Sequence, residues 1–224
     1  MAKRLLILLL LASAFLLAPL PSSAAELPAD CAVPPEIDLS QFNVVIGTNA
    51  SETLTGTEGA DFICGLLGDD VIYAYGGDDL ILGDTTTFFG NVQAPGGNDT
   101  IVAGAGDDQV LPGPGNDSVN GGGGNDFIAL AVGDDVGQGG RGADTIIGGF
   151  GEDKVLGGPG NDDLAGGFGD DLINGGPGDD TLAGELPGGG PSPVPAPESR
   201  RDRCIGAAGN DTAIECDKTT SVEG

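Results

Sequence analysis

The chain has 224 residues, and its composition excludes several classes of function before any motif is considered. It carries 35 acidic residues against 8 basic ones, a formal net charge of −27. Such a chain cannot bind nucleic acid by neutralising phosphates, so no nucleic-acid partner is expected. It has no histidine, which excludes Ser-His-Asp and Cys-His catalysis and imidazole zinc sites.

The first 25 residues have the pattern of a secretory signal peptide. Lys3 and Arg4 precede an apolar run over residues 5–17, and Ser23, Ala24 and Ala25 supply a small-residue cleavage site. The alternative is a membrane anchor, but the run is shorter than the roughly 20 residues that a spanning helix needs. We therefore expect a secreted, extracellular chain that has no stable membrane insertion after cleavage.

Export places the four cysteines in an oxidising compartment, where disulfides are favoured. Cys204 and Cys216 are close in sequence and are predicted to pair, which leaves Cys31 for Cys64. The alternative is four unpaired thiols. A zinc site is less favoured because the sequence has no C-x-x-C spacing.

A nine-residue period fills the middle of the chain, residues 47–183. From residue 139 the sequence reads GGRGADTII, GGFGEDKVL, GGPGNDDLA, GGFGDDLIN and GGPGDDTLA. The same phase extends back to residue 94, and four earlier repeats occupy residues 47–82, giving fourteen in all. Residues 83–93 separate these two blocks of repeats. We number the positions of each repeat as places one to nine.

Each place has a physical role. Glycine at places one, two and four permits backbone angles with positive φ. Place six is aspartate in thirteen of fourteen repeats, with Glu52 the exception, and place eight is Leu, Ile or Val in thirteen, with Gly137 the exception. This predicts a six-residue turn followed by a three-residue strand whose middle side chain points inward. Two such repeats are needed to close one coil.

The pattern G-G-x-G-x-D, followed by an apolar residue at place eight, resembles the haemolysin-type (RTX) calcium-binding repeats. The resemblance implies an all-β fold, a parallel β-roll (solenoid) in which every second repeat stacks and calcium lies between stacked turns. It also implies that the place-six aspartates of both turns bind the ion, together with carbonyls near places one to four. Such oxygen ligands suit a hard cation such as calcium.

The place-six aspartates then form two predicted columns. One column holds Asp99, Asp117, Asp135, Asp153 and Asp171, the other holds Asp108, Asp126, Asp144, Asp162 and Asp180, and three earlier candidates are Asp61, Asp70 and Asp79. The four gaps in each column predict eight or more calcium ions. Residues 47–183 carry 24 acids and two bases, so stacked carboxylates would repel one another without a cation between them.

Two departures from the pattern leave the stacking open. If residues 83–93 loop out, Asp79 stacks on Asp108; if they form a degenerate turn plugged by Phe88 and Phe89, the two sides exchange. The repeat that begins at Leu130 lacks its first two glycines and has glycine at place eight. This puts the site of Asp135 in question.

The segments on either side of the repeat block are predicted to cap it. Residues 26–46 are predicted to form an N-terminal capping segment, and residues 184–199 a proline-rich loop or linker. Residues 200–224 are predicted to form a capping turn closed by the Cys204–Cys216 disulfide. Its segment GAAGNDTAI, residues 206–214, is again a repeat with Asp211 at place six. Solenoids need such caps because an open end exposes apolar groups and strand edges.

The sequence therefore predicts a secreted, non-catalytic protein that binds calcium and folds on binding. An enzyme is disfavoured because the roughly 21 residues between the signal peptide and the repeats, and the roughly 41 after them, are too few for a catalytic domain. A calcium-stiffened adhesin or spacer that binds a polysaccharide or a cell surface is the alternative. It predicts a ladder of one residue type at the outward place nine, and no such ladder is present.

Overall fold

The computed structural model describes residues 27–28, 31, 33, 37–84, 96–184, 202–207, 209–214, 216 and 218–220. The predicted signal peptide, residues 1–25, lies outside these residues. So do nearly all of the residues 83–93 and 184–199 that the sequence assigned to an interruption and to a proline-rich loop. Within the described part of the chain, no helix combines the length and the apolar character required to cross a membrane.

The described residues are almost entirely strand and turn, apart from a short 3₁₀ turn at Leu39–Gln41 that Asp38 caps. The strands are β1 Asn43–Ile46, β2 Thr53–Thr55, β3 Asp61–Leu66, β4 Val71–Gly76, β5 Leu80–Asp84, β6 Thr100–Ala105, β7 Gln109–Leu111, β8 Gly113–Pro114, β9 Ser118–Gly123, β10 Phe127–Val132, β11 Val136–Arg141, β12 Thr145–Phe150, β13 Lys154–Leu156, β14 Asp163–Phe168, β15 Leu172–Asn174, β16 Thr181–Ala183, β17 Arg203–Ile205, β18 Thr212–Ile214 and β19 Lys218–Thr220.

These strands form two parallel sheets, and consecutive repeats alternate between them. In the described residues one sheet has the order β1-β3-β5-β7-β10-β12-β14-β16-β18, with β8 also paired to β10; the other has the order β19-β17-β15-β13-β11-β9-β6-β4-β2. Ile128 pairs with Ile146, eighteen residues later, as two repeats per coil require. The predicted all-β parallel solenoid is confirmed.

The strands are longer than the sequence predicted. The expected three-residue strand and six-residue turn are wrong for many repeats, since β6, for example, runs for six residues from place seven into place three of the next repeat. The reason is that places two and three also pair along the ladder, as Gly104 does with Gly122. The strand therefore continues through the left-handed residue at place two, and Gly104 has φ 124°.

The interruption does not exchange the two sides of the roll. Leu80 pairs with Gln109, twenty-nine residues later, so eleven residues are accommodated without loss of register. Of the two alternatives that the sequence left open, the stacking of the repeat at Asp79 on that at Asp108 is therefore correct.

The extra residues begin later than predicted. Gly83 and Asp84 belong to β5, and Asp84 pairs with Leu66, which stands at place two. Gly83, rather than Ala94, thus occupies place one, and the chain resumes its turn at Gly96. The boundaries 83–93 give way to an insertion at residues 85–95, because the strand ladder holds Gly83 and Asp84 in line.

Place-eight side chains stack into one apolar core along the roll. Ile63, Ile81, Ile128 and Ile146 are all fully buried there. The gap that Gly137 would leave is filled by Leu130, because a β-carbon on Gly137 would lie only 2.9 Å from Leu130 Cδ1. The unusual residues at places one and eight of this repeat therefore compensate each other.

Both ends of the roll carry a disulfide, as predicted. The bond between Cys31 and Cys64 joins the N-terminal segment to β3, and the bond between Cys204 and Cys216 closes the C-terminal end. The N-terminal segment does more than cross the end of the roll. Cys31 and neighbouring apolar residues cover the outer face of β3, β5 and β7, where Phe62 and Leu82 are buried.

Candidate metal centre

The place-six aspartates lie in two hydrogen-bonded columns inside the turns. In each step the backbone N–H of one aspartate donates to Oδ1 of the aspartate two repeats later; the bond from Asp126 to Asp144 is 2.8 Å long. One column runs through Asp61, Asp79, Asp108, Asp126, Asp144, Asp162, Asp180 and Asp211, and the other through Asp70, Asp99, Asp117, Asp135, Asp153, Asp171 and Asp202.

The second carboxylate oxygen of most of these aspartates is buried and has no hydrogen-bond donor. Among the described residues this holds for Oδ2 of Asp70, Asp79, Asp99, Asp108, Asp117, Asp126, Asp135, Asp153, Asp162, Asp171, Asp180 and Asp211. A buried carboxylate oxygen without a partner is costly, because the water that solvated it has not been replaced. A repeated series of such oxygens points to a missing cation.

In eight of these repeats, glycine at place one keeps a space open beside the unpartnered oxygen. A β-carbon on Gly65 would lie 2.5 Å from Asp70 Oδ2 and 2.6 Å from the carbonyl oxygen of Gly83. These separations match the 2.3–2.6 Å between calcium and its oxygen ligands. Place-one glycines are therefore needed for room rather than for positive φ, which the structure reserves for places two and four.

The donor set is one of carboxylates and backbone carbonyls. Within the described ranges, nowhere do three acidic or cysteine side chains come together in a cluster that could hold a metal ion. A metal held here would take further ligands from the backbone carbonyl oxygens that face the same spaces. Such an all-oxygen site suits calcium or magnesium and does not suit zinc or copper.

Comparison with known protein families identifies the repeats. The model of the RTX calcium-binding nonapeptide repeat matches residues 46–81, 96–128, 113–136, 130–164 and 156–186, more than half of the chain. The chain belongs to this RTX repeat family. No curated protein gives a significant match to the sequence. The RTX repeats bind calcium, the cation that the buried oxygens and place-one spaces fit.

The columns of the RTX roll are electrostatically unfavourable without a cation. Burial raises the pKa of Asp117 to about 7; the hydrogen bond from the Asp99 N–H lowers it, and repulsion from the Asp99 carboxylate raises it again. The same causes raise the pKa of Asp135 to about 8 and that of Asp153 to about 6. Without a cation these carboxyl groups therefore ionise less readily than a free aspartate, and a positive charge beside them would stabilise the ionised form.

Asp61 differs from the other predicted site residues. Its Oδ2 accepts hydrogen bonds from the backbone N–H of Thr57, at 2.6 Å, and from the Thr57 hydroxyl. Its Oδ1 accepts one from the side-chain amide of Asn43. The hydroxyl bond is available because threonine, rather than glycine, stands at place two of this repeat. The structure thus brings Asp61 into its column but gives both of its oxygens partners within the protein.

A second, exposed ladder of hydrogen bonds lies at place five and was not predicted from the sequence. There the N–H of Asn125 donates to Asp107, and the N–H of Ala143 donates to Asn125. This ladder runs in the direction opposite to that of the place-six columns. At place five each side chain accepts from the N–H two repeats later, whereas at place six it accepts from the N–H two repeats earlier. The regular recurrence of Asn and Asp at place five was the signal that could have revealed it.

Two buried aspartates were also missed. Asp202 continues the column beyond Asp171, whose N–H donates to it at 3.1 Å. The signal was its position two residues before Cys204, which fills place eight and is buried. Asp84 stands at place two and is fully buried; no repeat pattern predicts an acid there.

Proposed function

We propose that the protein is a secreted calcium-binding repeat protein that folds when its turns bind the ion, and that it is not an enzyme. One observation carries the proposal: buried Oδ2 atoms recur along both columns, each without a donor. In eight of the described repeats, place-one glycine leaves the space beside this oxygen open. Membership of the RTX family supports calcium as the cation.

The proposed ligands are the place-six carboxylates and the carbonyls that face them. The carboxylates are those of Asp70, Asp79, Asp99, Asp108, Asp117, Asp126, Asp135, Asp144, Asp153, Asp162, Asp171 and Asp180, with Asp61 the weakest member at the end of its column. Calcium, when bound, supplies the positive charge that offsets repulsion along the columns. We expect eight or more ions per chain, one between successive turns of a column.

Folding depends on binding because the chain has little else to hold the roll together. Its main core consists chiefly of the place-eight side chains of the two sheets, with a smaller apolar cluster under the N-terminal segment, and only 4% of its residues are aromatic. Without a cation, burial must offset the conformational entropy of a glycine-rich chain and the desolvation of stacked carboxylates. A ligand that binds only the folded state raises the free energy of unfolding by RT ln(1 + [L]/Kd) at each independent site.

Two observations support the extracellular and non-catalytic parts of the proposal. Two disulfides join the four cysteines, as is typical of proteins in oxidising compartments. In the described columns every place-six carboxylate except that of Asp61 accepts a hydrogen bond from a backbone N–H of a neighbouring turn, and so serves the architecture of the roll. Low calcium inside the cell would keep the chain unfolded until export, and higher calcium outside would fold it.

Calorimetric titration of the secreted chain with CaCl2, after removal of bound metal by a chelator, tests the proposal. The expected result is saturable binding of eight or more ions. The matched titration with MgCl2 should give weaker binding, because magnesium demands octahedral geometry and gives up its water reluctantly. Absence of bound calcium, checked independently by equilibrium dialysis, would refute the proposed function.

A further inference from the structure

Asp84 is a buried acid that the repeat pattern does not explain. It ends β5 opposite Leu66, at place two of its turn, and the eleven inserted residues follow it. Elsewhere in the described repeats this place holds glycine, an apolar residue or threonine. Asp84 does not adopt the left-handed conformation that Leu66 and Tyr75 adopt at the same place. Its backbone is therefore arranged differently, and its side chain is turned into the fold.

One oxygen of Asp84 is bonded and the other is not. Oδ2 accepts the backbone N–H of Gly97 at 2.8 Å, whereas Oδ1 is buried and has no hydrogen-bond partner. The residue is 0% exposed, so water does not reach it. A role limited to capping Gly97 would leave the second oxygen desolvated for no gain.

The surroundings of Asp84 supply further oxygen atoms. A β-carbon on Gly96 would lie 2.5 Å from Asp84 Oδ2 and would contact the carbonyl oxygen of Pro114. In the same turn, a β-carbon on Gly83 would contact Asp99 Oδ2 and the carbonyl oxygen of Pro112. Two carboxylates and two carbonyls thus surround one turn, and two glycines leave it open.

The charges that act on Asp84 are all negative. Burial raises its pKa to about 8, and repulsion from Asp99, Asp117 and Asp70 contributes to the increase. The turn holds two buried carboxylates, those of Asp84 and Asp99, whereas each other described turn of its column holds one.

We propose that Asp84 is an additional metal ligand, which joins Asp99 in holding one calcium ion where the inserted residues leave the roll. This inference rests on the proposed calcium-binding function. Three observations carry it: the buried Oδ1 of Asp84 without a partner, the open space at Gly96 beside Asp84 Oδ2, and the open space at Gly83 beside Asp99 Oδ2. The ion would bind two carboxylates from a single turn and fix both ends of the insertion, since Asp84 precedes it and Gly96 follows it.

Calcium calorimetry on the secreted chain and its Asp84→Asn variant tests this assignment. Asparagine can still accept the Gly97 N–H but carries no charge, so a purely capping role predicts an unchanged titration. We expect the variant to lose one ion, or to bind one ion at least tenfold more weakly. Glu58→Gln is the matched control, because Glu58 is an exposed acid outside the columns in the same part of the roll.

Asp84→Gly provides a second variant, since glycine is the usual residue at place two. It should show the same loss of one ion and should have the wild-type circular dichroism spectrum at saturating calcium. A double-mutant cycle between Asp84→Asn and Asp99→Asn should be non-additive if the two carboxylates share an ion. The cycle between Asp84→Asn and Asp180→Asn, at distant turns, should be additive.

The two proposals fail in distinguishable ways. If the wild-type chain binds no calcium, the proposed function is wrong. If the wild-type chain binds calcium while Asp84→Asn and Asp84→Gly bind the same number of ions with the same affinity, the general function stands and the assignment of Asp84 is wrong. An additive cycle with Asp99→Asn would also overturn the shared site.

Discussion

Two parts of the roll have the same backbone built from different sequences. The regular block, residues 139–183, has glycine at places one, two and four of all five repeats. The irregular block, residues 65–138, has Leu66, Tyr75 and Ala131 at place two, yet these residues keep positive φ values of 79°, 77° and 83°. The sheet ladders and the aspartate columns run through both blocks without a break.

The comparison shows which residues determine the register of the strands and which lower the free-energy cost of the turn conformation. Place-six aspartates and place-eight apolar residues recur in both blocks, with Gly137 compensated by Leu130. Glycine at place two is dispensable for the fold, but a side chain there is held in a conformation that costs about 1–2 kcal/mol. Glycine at place one matters for a different reason, because it leaves room beside the carboxylate.

The largest effect is expected from removing a column aspartate in the regular block. Asp144→Ala removes a carboxylate that accepts the Asp126 N–H and, in the proposed arrangement, a ligand of two successive sites. Loss of the charged hydrogen bond alone should cost about 1.5–3 kcal/mol. The calcium concentration at half-folding should rise severalfold, as followed by circular dichroism.

Two further variants show whether the effect of Asp144→Ala is specific to the columns and whether it depends on place-one glycine. Asp163→Ala removes an exposed acid from the same block and should leave the midpoint unchanged. Asp135→Ala should shift the midpoint less than Asp144→Ala, because Leu130 replaces glycine at place one of its turn. Equal shifts for Asp135 and Asp144 would show that place-one glycine does not affect the site.

Removing the disulfides should destabilise the two ends unequally. Chain entropy predicts about 4 kcal/mol for the bond between Cys31 and Cys64, thirty-three residues apart, next to the irregular block. It predicts about 3 kcal/mol for the bond between Cys204 and Cys216, twelve residues apart, beyond the regular block. Urea unfolding of the two serine double variants at fixed calcium measures both. The opposite order would show that local packing outweighs loop length.

Exchanging residues at place two should shift stability in opposite directions. Ala131→Gly should stabilise the chain by about 1 kcal/mol, because it relieves a left-handed alanine. Gly140→Ala should cost at least about 1–2 kcal/mol, since its β-carbon would also collide with the carbonyl oxygen of Gly122. Thermal unfolding at saturating calcium measures both changes, and two shifts of the same sign would contradict the account.

The smallest effect expected is a difference in pH response. Asp135 in the irregular block has a pKa of about 8 and Asp153 in the regular block one of about 6, both raised chiefly by burial. The calcium-free fold therefore loses stability as pH rises from about 4 through these values, because its carboxylates must ionise inside the turns. Calcium binds the ionised form, so protons compete with it.

Calcium titrations at pH 8, 7 and 6 measure this competition. The midpoint should rise as the pH falls, and the ion that Asp135 binds should weaken first. Calorimetry in two buffers of different ionisation enthalpy should detect proton release on binding at pH 7. A midpoint that is constant between pH 6 and 8 would contradict the raised pKa values.

Much of the fold follows from the nine-residue period, because every place has a fixed environment. The eighteen-residue spacing correctly predicted that Asp126 stacks between Asp108 and Asp144, and the spacing of the cysteines gave both disulfides. The period could not predict strand length, since the pairing of places two and three depends on the neighbouring coil. It also could not decide the path around residues 83–93, which only the ladder between β5 and β7 settles.

The residues that the sequence missed lie where the period is broken. Asp84 was assigned to the interruption, so its burial at place two was hidden until β5 was seen to extend to it. The five residues before Asp202, PESRR at 197–201, contain no glycine, so no repeat could be recognised around it. Leu130 looked like a defect of its repeat, but it fills the space at Gly137, a contact between neighbouring places that a consensus pattern does not describe.

The central claim is that calcium in the aspartate columns folds the roll. Far-ultraviolet circular dichroism of the chain without residues 1–25, recorded first in chelator and then across a calcium titration, tests this claim most directly. The account predicts a spectrum without β-structure in chelator and a steep, cooperative gain of β-structure as calcium is added. A spectrum that is already rich in β-structure in chelator and does not change with calcium would contradict it.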